Sequence, residues 1–219
     1  MSGVAILVYV HILLMVFWIG TDIGVFVAGL RFIDPKRSMA ERSAVINLGM
    51  VIDRYPRICF VAILPVGMQI AASLGMLALS STALALIWSA SAVWLTCVIA
   101  GMILTGTPRV RPWQRVEKSF LMIAAVACLG LGIAGATGKM LMPGWFAGKL
   151  ALYGAMCVFA LLLDRSFFPV FIAFGTIAAE GSTPEREAAL RRPMIQTYVW
   201  VLLIYAAVLA SGFLGTVRP

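Results

Sequence analysis

The chain contains a single histidine, His11, which lies inside a long apolar stretch. A polar side chain is costly in hydrocarbon, so one that is retained there is a candidate for function. A neutral imidazole can hydrogen-bond across helices, relay protons, or bind a metal, including haem iron as an axial ligand. The residue type alone leaves these three roles open.

Three further residues share the helical phase of His11. Met15, Trp18 and Asp22 follow it at i+4, i+7 and i+11, which places all four side chains on one face of a helix. Because that face carries an imidazole and a carboxyl group, we expect it to point into the protein rather than toward lipid.

A second candidate is Lys149, which follows Pro143 and Trp145 at the start of another apolar stretch. Its predicted depth in the membrane lies within about 5 Å of that of His11. A lysine at a helix end commonly extends to the membrane surface. The functional alternative is a place in a pocket with His11, where Lys149 would bind an anionic group or take an axial position on iron.

A third group of charged residues falls near the opposite ends of the apolar stretches. Interhelical charge pairing is the expected role, and a clamp for haem propionates or a solute gate is the alternative. Pro65 and Pro169 can kink their helices and open space between them. The group comprises Asp22, Asp53, Arg54, Arg57, Asp164 and Arg165.

Composition identifies the fold class that must position these residues. Hydrophobic residues make up 62% of the 219, charged residues only 12%, and the mean hydropathy is +1.01. Soluble domains have about a quarter of their residues charged, so the chain is predicted to be an all-α, polytopic membrane bundle in the lipid bilayer.

The net charge of +8 does not indicate a nucleic-acid partner, because the basic residues sit in short loops between apolar stretches. The four cysteines are scattered singly and form no CxxC pair, so neither zinc nor disulfides are expected.

About six stretches are long enough to cross a hydrocarbon core, which takes about 20 helical residues. Segments two and three are predicted to form a tight hairpin around residues 80–82. A surface helix is expected from Pro35 to Asp53 with Asp34 as its cap, and another from Ser182 or Thr183, separated from span six by Pro193. The predicted spans are 4–30, 57–79, 83–105, 119–138, 146–175 and 194–215.

Glycines are predicted to mark close helix contacts. Gly20 and Gly24 form a GxxxG step in span one, and four more glycines line span four. The four are Gly130, Gly132, Gly135 and Gly138.

Basic residues are distributed unequally between the two sides of the predicted bundle. Only Lys139, Lys149 and Arg218 fall on one side, which is therefore predicted to be the outer one, with both termini. The first stretch is too long for a cleavable signal peptide. We expect an integral protein of a bacterial inner membrane. The other fourteen basic residues are Arg31, Lys36, Arg37, Arg42, Arg54, Arg57, Arg109, Arg111, Arg115, Lys118, Arg165, Arg186, Arg191 and Arg192.

Two segments resemble a known family. His11 to Gly20, with its histidine, tryptophan and glycine, is similar to the first helix of HemJ-like protoporphyrinogen oxidases and CopD-like membrane proteins. The segment from Gly144 to Leu152 resembles a HemJ-type segment that carries a tryptophan and a lysine, and Arg54 to Arg57 also has the general look of that family. The resemblance implies that His11 is a haem-associated histidine and Lys149 a functional lysine.

The leading functional hypothesis is therefore a membrane protein that binds haem b, in electron transfer or as a membrane subunit of a redox complex. His11 would be the iron ligand, and Lys149, Trp18 and Met15 would complete the cofactor site. The alternatives are a small-solute carrier or channel, a non-catalytic accessory subunit, and a haem-dependent oxidoreductase resembling protoporphyrinogen oxidase. A redox partner or a second membrane subunit is possible under the leading hypothesis, and the oligomeric state stays open.

Overall fold

The computed structural model describes residues 3–217, which form seven helices joined by short connections. Six helical segments, with α2 and α3 counted as one, are long and apolar enough to cross a membrane, which confirms the predicted all-α bundle of six spans. Arg218, predicted on the outer side, lies outside the described residues. The helices are α1 (Gly3–Phe32), α2 (Met39–Ile52), α3 (Arg54–Ser73), α4 (Ser81–Ile103), α5 (Val110–Ala136), α6 (Gly144–Glu180) and α7 (Pro184–Val217).

The membrane-spanning helices form a ring. Following the chain, α3 packs on α1, α4 on α3, α5 on α4, α6 on α5 and α7 on α6, and α7 touches α1 over a short stretch. Large apolar side chains cover the outside, as with Tyr9 and Phe17 on α1 and Ile123 and Val126 on α5, which are all more than half exposed. A surface of this kind suits a lipid bilayer.

The predicted start of the first surface helix, at Pro35, was wrong, because α2 begins at Met39. Ser38 caps α2 instead, because its hydroxyl accepts a hydrogen bond from the Glu41 N–H while the Glu41 carboxylate accepts one from the Ser38 N–H at 2.9 Å. This reciprocal arrangement satisfies two donors at once. Asp34 instead accepts from the Lys36 N–H in the preceding turn.

The predicted break at Pro193 was also wrong, since α7 runs without interruption from Pro184 to Val217. A proline removes one backbone N–H, and a membrane helix can tolerate this where neighbouring groups satisfy the freed atoms.

The connection between spans two and three is longer than the tight hairpin that was predicted. α3 ends at Ser73, where Gly75 takes a φ of 68° and the Met76 N–H donates to the Ala71 carbonyl. Only glycine adopts that backbone conformation without strain, so the helix stops there.

A buried ion pair ties α2 to α7. The Arg42 guanidinium donates two hydrogen bonds to the Glu187 carboxylate, at 2.8 and 3.0 Å, and a third to the Phe32 carbonyl. It also lies over the rings of Phe32 and Phe174, and Arg42 is only 1% exposed. Ser182 donates a further hydrogen bond to Glu187. This junction holds one end of the ring together.

Glycines bring α5 and α6 close together. A Cβ on Gly132 would meet the Ala151 nitrogen at 2.7 Å and the Ala147 carbonyl oxygen at 2.8 Å, and one on Gly154 would meet the Leu129 nitrogen at 2.8 Å. The predicted contacts are only partly present, because a Cβ on Gly20 or Gly130 would meet nothing within 4 Å.

We expect Gly132→Ala to destabilise the protein by about 1–3 kcal/mol, because the added methyl group meets backbone atoms that cannot turn aside. Gly130→Ala is the matched control on the same helix and should be neutral or stabilising by up to about 1 kcal/mol. Unfolding by SDS titration in mixed micelles measures both, and equal effects would contradict this packing.

We expect Arg42→Ala to cost about 2–4 kcal/mol, below the value for a fully buried pair, because it leaves the partly buried Glu187 carboxylate and the Phe32 carbonyl without their partner. The double variant Arg42→Met with Glu187→Leu should lose less than the single variant, since apolar side chains can replace the whole pair. The same titration compares them, and a double variant that is less stable than Arg42→Ala would refute the explanation.

Candidate functional site

The ring encloses a cavity, the His11 cavity, between α1, α3, α6 and α7. Its volume, taken as the space that the centres of water molecules can occupy, is about 270 Å³. Apolar and aromatic side chains provide most of its wall, with a few polar groups among them, as is usual for ligand pockets. Its lining includes His11, Met15, Trp18, Met68, Trp145, Lys149, Tyr153 and Met156.

The His11 imidazole lies directly against α3. A Cβ on Gly67 would come within 3.0 Å of its Cε1 atom, so the glycine makes room for the ring. The ring also contacts the Ile63 carbonyl, whereas its Nδ1 atom is buried and has no hydrogen-bond partner. A neutral imidazole has one donor and one acceptor nitrogen. In either tautomer, the ring keeps one unprotonated nitrogen whose lone pair can accept a hydrogen bond or bind a metal.

Lys149 lies in the same cavity, as its predicted depth indicated. A Cβ on Gly215 would come within 2.6 Å of its Nζ atom, so the side chain folds across α7 inside the ring. It is close enough to His11 for the two groups to interact electrostatically. The cavity thus combines an imidazole with a fixed positive charge.

The predicted inward face of α1 divides between two cavities. Met15 and Trp18 line the His11 cavity, and Met15 packs toward Gly212 of α7. Trp18 is only 5% exposed and contacts the ring of Phe60 edge-on, with centroids 5.1 Å apart. Asp22 lies beyond Trp18 in a second cavity.

This second cavity, the Arg57 cavity, has a volume of about 100 Å³ and is rich in carboxyl groups. The Arg57 guanidinium donates to the Asp53 carboxylate at 2.6 Å. It also lies 3.8 Å from a Glu117 oxygen and 3.7 Å from an Asp164 oxygen. Arg57 therefore connects α3, α5 and α6 through charge.

The structure brings together only part of the predicted charge cluster. Asp22, Arg57 and Asp164 share the Arg57 cavity, whereas Arg54 and Arg165 are exposed and outside its lining. Each residue along a helix turns the side chain by about 100°, so Arg165 leaves the face on which Asp164 lies.

The sequence analysis did not identify Glu117, which directly precedes the basic Lys118. Its helical phase was the available signal, because Leu121, Ala124 and Cys128 follow it at i+4, i+7 and i+11 and are all buried. The same spacing had identified the inward face of α1. Within residues 3–217 there is no group of three or more His, Cys, Asp or Glu side chains arranged to hold a metal ion.

We expect Arg57→Gln to destabilise the protein by about 1–3 kcal/mol, between the values for exposed and fully buried pairs, because it leaves several carboxylates facing each other. Arg54→Gln removes the same charge from the same helix and should change stability by less than about 0.5 kcal/mol. SDS titration distinguishes them, and a loss as large for Arg54→Gln would show that Arg57 has no special role.

No protein-family model, curated protein or solved structure matches the chain. The function must therefore be argued from the chemistry of the two cavities. Of these, the His11 cavity holds the one imidazole of the chain and the larger apolar wall.

Proposed function

We propose that the protein is an integral membrane protein that binds haem b in the His11 cavity and acts in electron transfer or as a membrane subunit of a redox complex. The observation that carries the proposal is the His11 imidazole, which lies in the wall of an apolar, aromatic cavity and whose Nδ1 atom has no hydrogen-bond partner among the described residues. A buried polar atom without a partner is uncommon and calls for an explanation. A ligand bound by the imidazole provides one.

The donor set of the cavity fits this group. His11 would hold the iron, and the hydrogen bond to the Ile63 carbonyl would fix the orientation of the imidazole ring. Lys149 would bind a propionate carboxylate, and Trp18, Trp145 and Tyr153 would surround the macrocycle. When bound, haem supplies one-electron redox chemistry.

A second ligand to the iron would come from a helix other than α1. With one histidine in the chain, two imidazoles cannot both come from it. Met15 lies one turn from His11 on the same side of α1. Met68 on α3 and Met156 on α6 line the cavity and carry thioethers that could bind iron.

The proposal includes a membrane orientation. The excess of basic residues near Arg57 supports a cytoplasmic location for that end of the ring, with both termini and the His11 cavity at the outer side of a bacterial inner membrane. A redox partner or second membrane subunit would then exchange electrons with a haem near the outer surface.

We expect protein purified from haem-replete cells to show a Soret band, and His11→Ala to lose at least about nine-tenths of it, because the iron loses its only imidazole. Tyr9→Ala, on the exposed face of the same helix, is the control and should keep the band. Absorption spectra normalised to protein measure this. His11→Gly should regain the band when imidazole is added.

A folded, monodisperse wild-type preparation without a Soret band, even after haemin is added, would refute haem binding. A band of full intensity in His11→Ala would refute the assignment of the ligand.

A further inference from the structure

The centre of the ring is filled by a layer of aromatic side chains, the aromatic layer, formed by Trp18, Phe60, Trp94 and Tyr153. Phe60 stacks on Tyr153 with centroids 5.0 Å apart and meets Trp18 and Trp94 edge-on. The Tyr153 hydroxyl donates to the Phe60 carbonyl at 2.9 Å, which holds α3 and α6 in register.

This layer separates the two cavities, and of residues 3–217 only Trp18 and Met156 line both of them. Both side chains are almost completely buried, at 5% and 3% exposure. Along α1, His11 lies about 10 Å from Trp18, and Asp22 about 6 Å beyond Trp18 on the other side. The two cavities therefore follow one another along the bundle with a single thin barrier between them.

The Arg57 cavity has more carboxyl groups than positive charges. Asp22, Asp53, Glu117 and Asp164 line it together with the single guanidinium of Arg57. An excess of unbalanced carboxylates inside an apolar ring is costly, and protons are the simplest way to remove it. Three other ionisable groups lie nearby: Tyr205 of α7 faces Asp22, and Cys97 of α4 and Lys118 of α5 lie close enough to Glu117 for an electrostatic interaction.

A second observation indicates water in this cavity. Trp94 lines it and is only 3% exposed, yet its indole N–H has no hydrogen-bond partner. A buried donor of this kind usually finds an ordered water. The space open to water centres, about 100 Å³, exceeds the roughly 10–15 Å³ that one water requires, so the cavity has room for ordered water. The cavity also reaches the surface, since the side chains of Arg57 and Asp164 are 37% and 27% exposed.

We propose that the two cavities are the two halves of a proton pathway through the membrane, closed in its middle by Trp18 and Met156. A carboxylate of the Arg57 cavity takes a proton from water at its surface, and Asp22 presents it at the barrier. When the Trp18 side chain moves aside, the proton passes through water to the His11 cavity. Each step breaks one O–H or N–H bond and forms another, and no electrons are transferred.

Beyond the barrier, the His11 imidazole would take the proton through the lone pair of its unprotonated nitrogen. The pathway applies to the protein without haem, because iron on the His11 imidazole would occupy the nitrogen that accepts the proton, and it therefore stands or falls separately from the proposed function.

The test uses the full-length protein in liposomes that contain a pH-sensitive dye, with a potassium gradient and valinomycin to drive protons. Wild-type protein, with the barrier closed, should conduct within about twofold of protein-free liposomes. Trp18→Ala should raise the proton flux at least tenfold, because it removes the largest side chain of the barrier. Adding Asp22→Asn to Trp18→Ala should return the flux to within twofold of wild type.

Two further variants keep the test decisive. Trp200→Ala is the matched control, since Trp200 stacks on Phe159 and lines neither cavity, and it should conduct like wild type. Met156→Ala opens the same barrier from α6 and replaces Trp18→Ala if that variant does not fold.

Three results would overturn the pathway: a Trp18→Ala flux equal to that of Trp200→Ala, an increase that survives Asp22→Asn, or a leak of potassium without valinomycin at the same rate as protons. A colourless protein that conducts protons in Trp18→Ala would remove haem binding and leave the pathway in place.

Discussion

The constraint on which this structure depends is that charged and hydrogen-bonding side chains must be satisfied inside the ring, because lipid offers them no partner. Arg42 is satisfied where α2 meets α7, by hydrogen bonds to the Glu187 carboxylate and the Phe32 carbonyl. Arg57 of α3 is satisfied at a second place, by the carboxylates of Asp53, Glu117 and Asp164. The ring closes around these two arginines, and its outer surface is left to apolar side chains.

The side chains inside the ring differ in size and polarity from one region to another. Glycines allow α5 and α6 to pack backbone to backbone, whereas α3 and α6 meet through the rings of Phe60 and Tyr153. Close packing on one side and bulky side chains in the middle leave space above and below the aromatic layer. The two cavities follow from this arrangement, and their different linings give them different chemistry. One has a single imidazole and an ammonium group in an apolar wall, and the other has four carboxyl groups around one guanidinium.

Much of this could be predicted, and the failures have physical causes. The six spans and the inward face of α1 follow from hydropathy and helical phase, which are local properties of the chain. The predictions at Pro35 and Pro193 were wrong because a proline only removes one backbone N–H donor. Whether a helix starts, kinks or continues at a proline depends on the neighbouring groups that satisfy the freed backbone atoms. Glu117 was missed because its partner, Arg57, lies on another helix at a distance that no local pattern reports.

The sequence by itself determined the membrane class, the number of spans and the residues on α1 that avoid lipid, because each depends on composition or on a period of 3.6 residues. Only the tertiary structure decided which of those residues meet. It placed the His11 ring on Gly67 and the Lys149 side chain on Gly215, and it excluded Arg54 and Arg165 from the charge cluster. These contacts join residues far apart in the chain. They depend on helix rotation and on the absence of a Cβ at the point of contact, which only the assembled ring specifies.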